Sequence, residues 1–66
     1  MLKNVIEPAL QQINSGITLL CSAIDILEQH KDKFEFEIEI LIDMVNNEHL
    51  NSIRYSLKKK LDEETN

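Results

Sequence analysis

The first half of the chain carries the pattern of a long amphipathic helix. Its apolar residues recur at alternating spacings of four and three, which places them on one face of a helix. That face consists of Ile6, Leu10, Ile13, Ile17, Leu20, Ile24 and Leu27. Asn4 followed three residues later by Glu7 has the pattern of a capping box, and Pro8 is tolerated only in a first helical turn. We therefore expect a helix from about residue 5 to residue 31.

Small residues recur every seven positions beside this face, at Ala9, Gly16 and Ala23. A neighbouring backbone could approach closely along that line, because small side chains leave room for it. Leu19 and Ile26 widen the apolar surface further. A helix with so wide an apolar surface usually contacts more than one neighbour.

The next segment, KFEFEIEILI at residues 33–42, alternates apolar and acidic residues as a half-buried strand does. Glu and Leu favour helix, and Leu41 breaks the alternation, so we expect a helix at about 34–45. As a helix the segment has a main apolar stripe of Phe34, Ile38, Leu41, Ile42 and Val45, and a second stripe of Phe36, Ile40 and Met44. The alternative is a strand that pairs across a dimer axis, since no other part of the chain has strand character.

Asn46 and Asn47 interrupt the apolar pattern, which resumes rotated by roughly 100°. We expect one of them to cap a third helix at about 47–61, with a polar tail at 62–66. The apolar stripe of this helix is Leu50, Ile53, Leu57 and Leu61, and the three lysines 58–60 would lie beside its C-terminal end. A hairpin with a bent second arm and a three-helix arrangement are both consistent with this pattern.

The chain has 66 residues, which allows one all-α domain with a thin core. Cys21 is the single cysteine, so oligomerisation rather than a disulfide is the expected source of extra stability. We therefore predict a small helical hairpin or three-helix chain that assembles as a helical-bundle homodimer. The predicted self-association interface is Ile17, Leu20, Ile24, Leu27, Phe36, Ile40 and Met44.

The net charge of −5 argues against a general binder of nucleic acids or anionic membranes. The one apolar block, residues 16–27, contains Asp25 and is too short to span a bilayer. We expect a cytoplasmic protein with no membrane contact.

Candidate chemistry is sparse. Cys21 has no base or cation within a helical turn, which predicts a partly buried structural thiol. His30 lies in a polar turn, and His49 lies beside an apolar stripe. No set of residues resembles a catalytic, metal or cofactor site, so we expect neither an enzyme nor a bound cofactor.

The sequence thus predicts a small regulatory protein that binds another macromolecule, of unknown identity, through helical surfaces. One alternative is a nucleic-acid-associated regulator that uses the basic C-terminal helix. Another is an acidic inhibitor of a nucleic-acid-binding protein, of the kind encoded by a phage or mobile element. The residues that these hypotheses assign to the partner are Glu35, Glu39, Asp43, Arg54, Tyr55, Lys58 and Lys59.

Overall fold

The computed structural model describes residues 2–65, which form three helices. They are α1 (Lys3–Glu28), α2 (Lys31–Val45) and α3 (Glu48–Thr65). Helix α1 packs against both α2 and α3, so the chain is a hairpin whose second arm is bent. The molecule measures 50 × 18 × 12 Å. Residues 2–65 contain no strand, and the prediction of helix for the alternating segment is confirmed.

Helix α1 begins earlier than the sequence indicated. The amide groups of Val5 and Ile6 donate to the carbonyl of Leu2, at 2.9 and 2.8 Å, and no side chain caps this end. The predicted capping box at Asn4 is therefore wrong, and Pro8 lies inside the helix, past its first turn. Ile6 is buried, so the first turns of the helix already belong to the packed part of the hairpin.

The turn between the arms is short and is followed by a kink. Helix α1 ends at Glu28, before the predicted residue 31, and only Gln29 and His30 separate it from α2. At Phe34 the backbone leaves helical geometry, with φ −127° and ψ 26°. The kink lies at the predicted start of the second helix.

Asn47 caps the third helix, and it is one of the two asparagines for which a cap is predicted. Its Oδ1 accepts hydrogen bonds from the backbone amides of His49 at 2.8 Å and Leu50 at 3.2 Å. These bonds satisfy donors that the first turn of a helix leaves unpaired. The break at residues 46–47 produces the bend of the second arm.

Helix α3 extends to Thr65, so the predicted polar tail is wrong for residues 62–65; residue 66 lies outside the described residues. Glutamate is a good helix former, which favours continuation through this segment. The backbone amide of Leu2 also donates to Oε1 of Glu64 at 3.0 Å and ties the two ends of the hairpin together. Lys58, Lys59 and Lys60 consequently lie inside the helix rather than at its end.

The core is a single row of side chains between the two arms. Only Ile6, Ile24 and Ile38 are buried among the residues whose exposure is described. The row is completed by half-buried Leu10, Ile13, Ile17, Leu20 and Leu27 on α1, Phe34, Leu41 and Val45 on α2, and Leu50, Arg54, Leu57 and Leu61 on α3. The predicted stripe of α3 is wrong at one position, because Ile53 is exposed and Arg54 takes its place. The predicted main stripe of α2 is likewise wrong at Ile42, which is exposed.

Candidate interaction surface

The two broad sides of the hairpin differ in chemistry, and the position of each residue relative to the core row determines its side. Residues one position before a core residue lie on one side in all three helices, since α1 runs antiparallel to the second arm. Residues one position after a core residue lie on the other side. We term these two sides the apolar face and the polar face.

Helix α1 contributes an uncharged surface to the apolar face. Its seven positions there are Val5, Ala9, Gln12, Gly16, Leu19, Ala23 and Ile26. Leu19 is 70% exposed and Ile26 is 64% exposed, so the hairpin itself does not cover them. The four charged residues of Lys3–Glu28 lie elsewhere on the helix: Lys3, Glu7, Asp25 and Glu28. Lys3 and Glu7 are paired at 3.7 Å, and Asp25 is eighteen residues, or five full turns, beyond Glu7.

The second arm continues the apolar face across its middle with Ile40, Met44 and Ile53, all of them exposed. Met44 precedes Val45 just as Ile53 precedes Arg54, so both point to the same side of the arm. On the same face, the polar side chain of His49 lies between Met44 and Ile53, and that of Ser56 follows Ile53. Charged residues of this face are confined to its ends, with Lys33 and Glu37 near the turn and Lys60 near the termini.

A shallow groove of ≈ 480 Å³ runs along the apolar face between α1 and the start of α3. Its lining is apolar except for Gln12 and consists of Gln12, Ile13, Gly16, Ile17, Leu19, Leu20 and Leu50. Gly16 and Leu19 of α1 line this groove together with Leu50 of α3. It passes directly over Gly16, where a Cβ atom would meet nothing within 4 Å.

The polar face holds a hydrogen bond between two side chains of opposite arms. Nε of Arg54 donates to Oδ1 of Asn14 at 2.9 Å, which holds the guanidinium against α1. A second groove of ≈ 470 Å³ lies beside this contact. It is lined by Leu10, Asn14, Asn51, Arg54, Tyr55, Lys58, Leu61 and Asp62.

The predicted self-association residues fall into two groups. Ile17, Leu20, Ile24 and Leu27 belong to the core row, where the second arm already covers them in part. Ile40 and Met44 lie on the apolar face, and Phe36 points away from α1 on the outer ridge of α2, where it is 69% exposed. The sequence pattern places Ile53 in the core stripe of α3 and so misses it as a surface residue. Its true position depends on which residues of α3 face α1.

The predicted partner-binding residues are separated in the same way. Arg54, Tyr55 and Lys58 meet at the polar-face groove, and Lys59 is exposed beside Tyr55. The acidic residues Glu35, Glu39 and Asp43 are exposed on the side of α2 turned away from the apolar face. The structure therefore brings the basic residues together but leaves the acidic ones on a different part of the arm.

The remaining candidate groups lie at the surface. Cys21 is exposed on the polar side of α1, which corrects the prediction of a partly buried thiol. In residues 2–65 no three His, Cys, Asp or Glu side chains come together as metal ligands could. None of the helices in this range is long and apolar enough to cross a membrane.

Comparison of the chain with protein-family models, with curated proteins and with solved structures finds no match in any of the three.

Proposed function

We propose that this protein is a small, non-enzymatic, homodimeric interaction protein that acts by binding another macromolecule through its helical surfaces. The observation that carries the proposal is the apolar face, which is uncharged along the whole of α1 and bears exposed Ile40, Met44 and Ile53 on the second arm. Singly scattered exposed apolar residues need no explanation, but a contiguous surface of this kind marks an interaction site.

The dimensions of the hairpin support a second copy as the first occupant of this face. The radius of gyration is 15.2 Å, whereas a compact chain of this length is expected near 10.8 Å. The accessible surface is 5384 Å², against about 4,300 Å² for a compact monomer of this mass. The excess of about 1,000 Å² leaves room for the ~800 Å² that each partner buries in a standard interface.

Charge supports the same arrangement. The chain carries a net charge of −5, so two copies repel unless their charged residues lie away from the contact. On the apolar face the charges are restricted to the ends, and in α1 they occupy the opposite side. Two copies can therefore join through these faces without burying a charge at the centre of the contact.

A dimer of this kind leaves other surfaces free for a different macromolecule. Phe36 stays exposed on the outer ridge of α2, with Asp32, Glu39 and Asp43 on neighbouring turns. An exposed aromatic side chain flanked by carboxylates suits a partner with an apolar pocket and basic surroundings. On the polar face, Arg54 is engaged with Asn14, so this proposal does not assign it to a partner.

A pair of adjacent substitutions tests the proposal. Leu19→Glu puts a carboxylate on the apolar face, and Thr18→Glu puts the same group one position earlier, away from it. We expect Thr18→Glu to remain dimeric and Leu19→Glu to lose the dimer, measured as molar mass by light scattering. Equal dimerisation by the two variants would contradict the assignment of the face.

A further inference from the structure

We propose that the two copies pack apolar face to apolar face with α1 of one crossing α1 of the other antiparallel at Gly16. In this arrangement the turn end of one hairpin lies over the open end of the other. The inference rests on the proposed function, because it specifies the contact through which the same homodimer forms.

Gly16 is the observation from which the arrangement follows. It lies at the middle of Lys3–Glu28, and its φ is negative, so the backbone does not require glycine there. Glycine in a helix interior is less favourable than alanine by about two- to fivefold in the folding equilibrium. A Cβ at this position would meet no atom within 4 Å, so packing within the hairpin does not require glycine either. A second helix close to the backbone at Gly16 supplies the missing reason.

The neighbouring small residues are placed symmetrically about this point. Ala9 lies seven residues before Gly16 and Ala23 seven residues after it, on the same face of the helix. Antiparallel crossing at Gly16 therefore sets Ala9 opposite the partner's Ala23, and Ala23 opposite the partner's Ala9. Small residues then face each other at Gly16 and two turns away in each direction, which permits the two α1 helices to approach closely along this length.

The charges at the ends of the apolar face are compatible with the same orientation. Lys33 and Glu37 lie towards the turn and Lys60 towards the termini. When the turn end of one copy lies over the open end of the other, Lys60 is brought towards the partner's Lys33 and the partner's Glu37, whose charges cancel. With the opposite orientation, turn over turn, the two Lys60 side chains gather at one end of the dimer.

Substitution of Gly16 by alanine tests whether the partner's helix packs closely against Gly16 or leaves it exposed to solvent. We expect Gly16→Ala to raise the dimer dissociation constant by about tenfold or more, because added methyl groups at a tight contact force the helices apart. Ser15→Ala is the matched control, since it also improves helix propensity but points away from the contact. A Gly16→Ala variant that dimerises as tightly as the unmodified chain would overturn the proposed crossing.

The orientation is measured by a spin-label distance. In a Cys21→Ser background, Glu28→Cys places one label near the turn, away from the apolar face. Antiparallel crossing at Gly16 separates the two labels by twenty-four residues along the helix axis, about 36 Å at 1.5 Å per residue. Turn-over-turn packing removes that offset and leaves roughly two interhelix spacings, about 20 Å. The shorter distance in an intact dimer overturns the crossing alone, whereas a monomer overturns the proposed function as well.

Discussion

Shortening Ile38 to alanine tests how α2 is rotated against α1. Ile38 is 4% exposed and faces the core row of α1, whereas Ile42, one turn further along, is 37% exposed. Ile38→Ala removes three carbon atoms, worth about 0.8 kcal/mol each, and leaves a cavity, so the expected loss is about 3 kcal/mol. A chain of 66 residues has a free energy of unfolding of about 3–10 kcal/mol, so the loss is a large part of the total.

The assay is urea unfolding followed by circular dichroism, with Ile42→Ala as the matched control. Because Ile42 is partly solvated, we expect Ile42→Ala to cost less than about 1 kcal/mol. Both variants are measured at one protein concentration, since self-association adds to the apparent stability. Equal losses of stability in the two variants, or a larger loss for Ile42→Ala, would refute the orientation of α2 in which Ile38 faces α1 and Ile42 is partly exposed.

Two further predictions concern a cap and a thiol. Asn47→Ala removes the oxygen that accepts from two backbone amides, and we expect a loss of about 1 kcal/mol in urea unfolding. Asn46→Ala is the control, and an equal effect of the two changes would contradict the assigned cap. Cys21 is exposed, so a thiol reagent should modify it in the native protein at a rate within a few-fold of that in denaturant. Strong protection of the thiol in native buffer would contradict its position on the polar side.

The helical character of the chain could be predicted from local signals. Glu and Leu favoured helix over strand in the alternating segment, and the shift of the apolar pattern at residues 46–47 located the break. The side chain of Asn47 satisfies amides only two and three residues away, so that cap could be predicted from neighbours alone.

Two of the errors concern contacts between distant parts of the chain. Arg54 occupies the core row in place of Ile53, with its long side chain against the other arm and its Nε bonded to Asn14, forty residues away. The local pattern of α3 is compatible with either Ile53 or Arg54 facing α1. The contact that distinguishes them involves Asn14, which lies outside α3. The extension of α3 past residue 61 likewise involves Glu64, which bonds to Leu2 at the other end of the chain.

The apolar face could be predicted only in part for the same reason. Ile40 and Met44 were identified as a second stripe of α2, but their union with Leu19 and Ile26 in one face requires the relative orientation of the two arms. The sequence predicts self-association for the core-row residues Ile17 and Leu20, because it does not specify which apolar residues the hairpin covers itself.

The most direct test of the central claim is the molar mass in solution, measured by light scattering over a dilution series with circular dichroism on the same samples. We expect twice the 7.7 kDa chain mass at high concentration, falling towards the chain mass on dilution. A chain that remains a folded monomer at every concentration would contradict the homodimer and leave the apolar face without its proposed occupant.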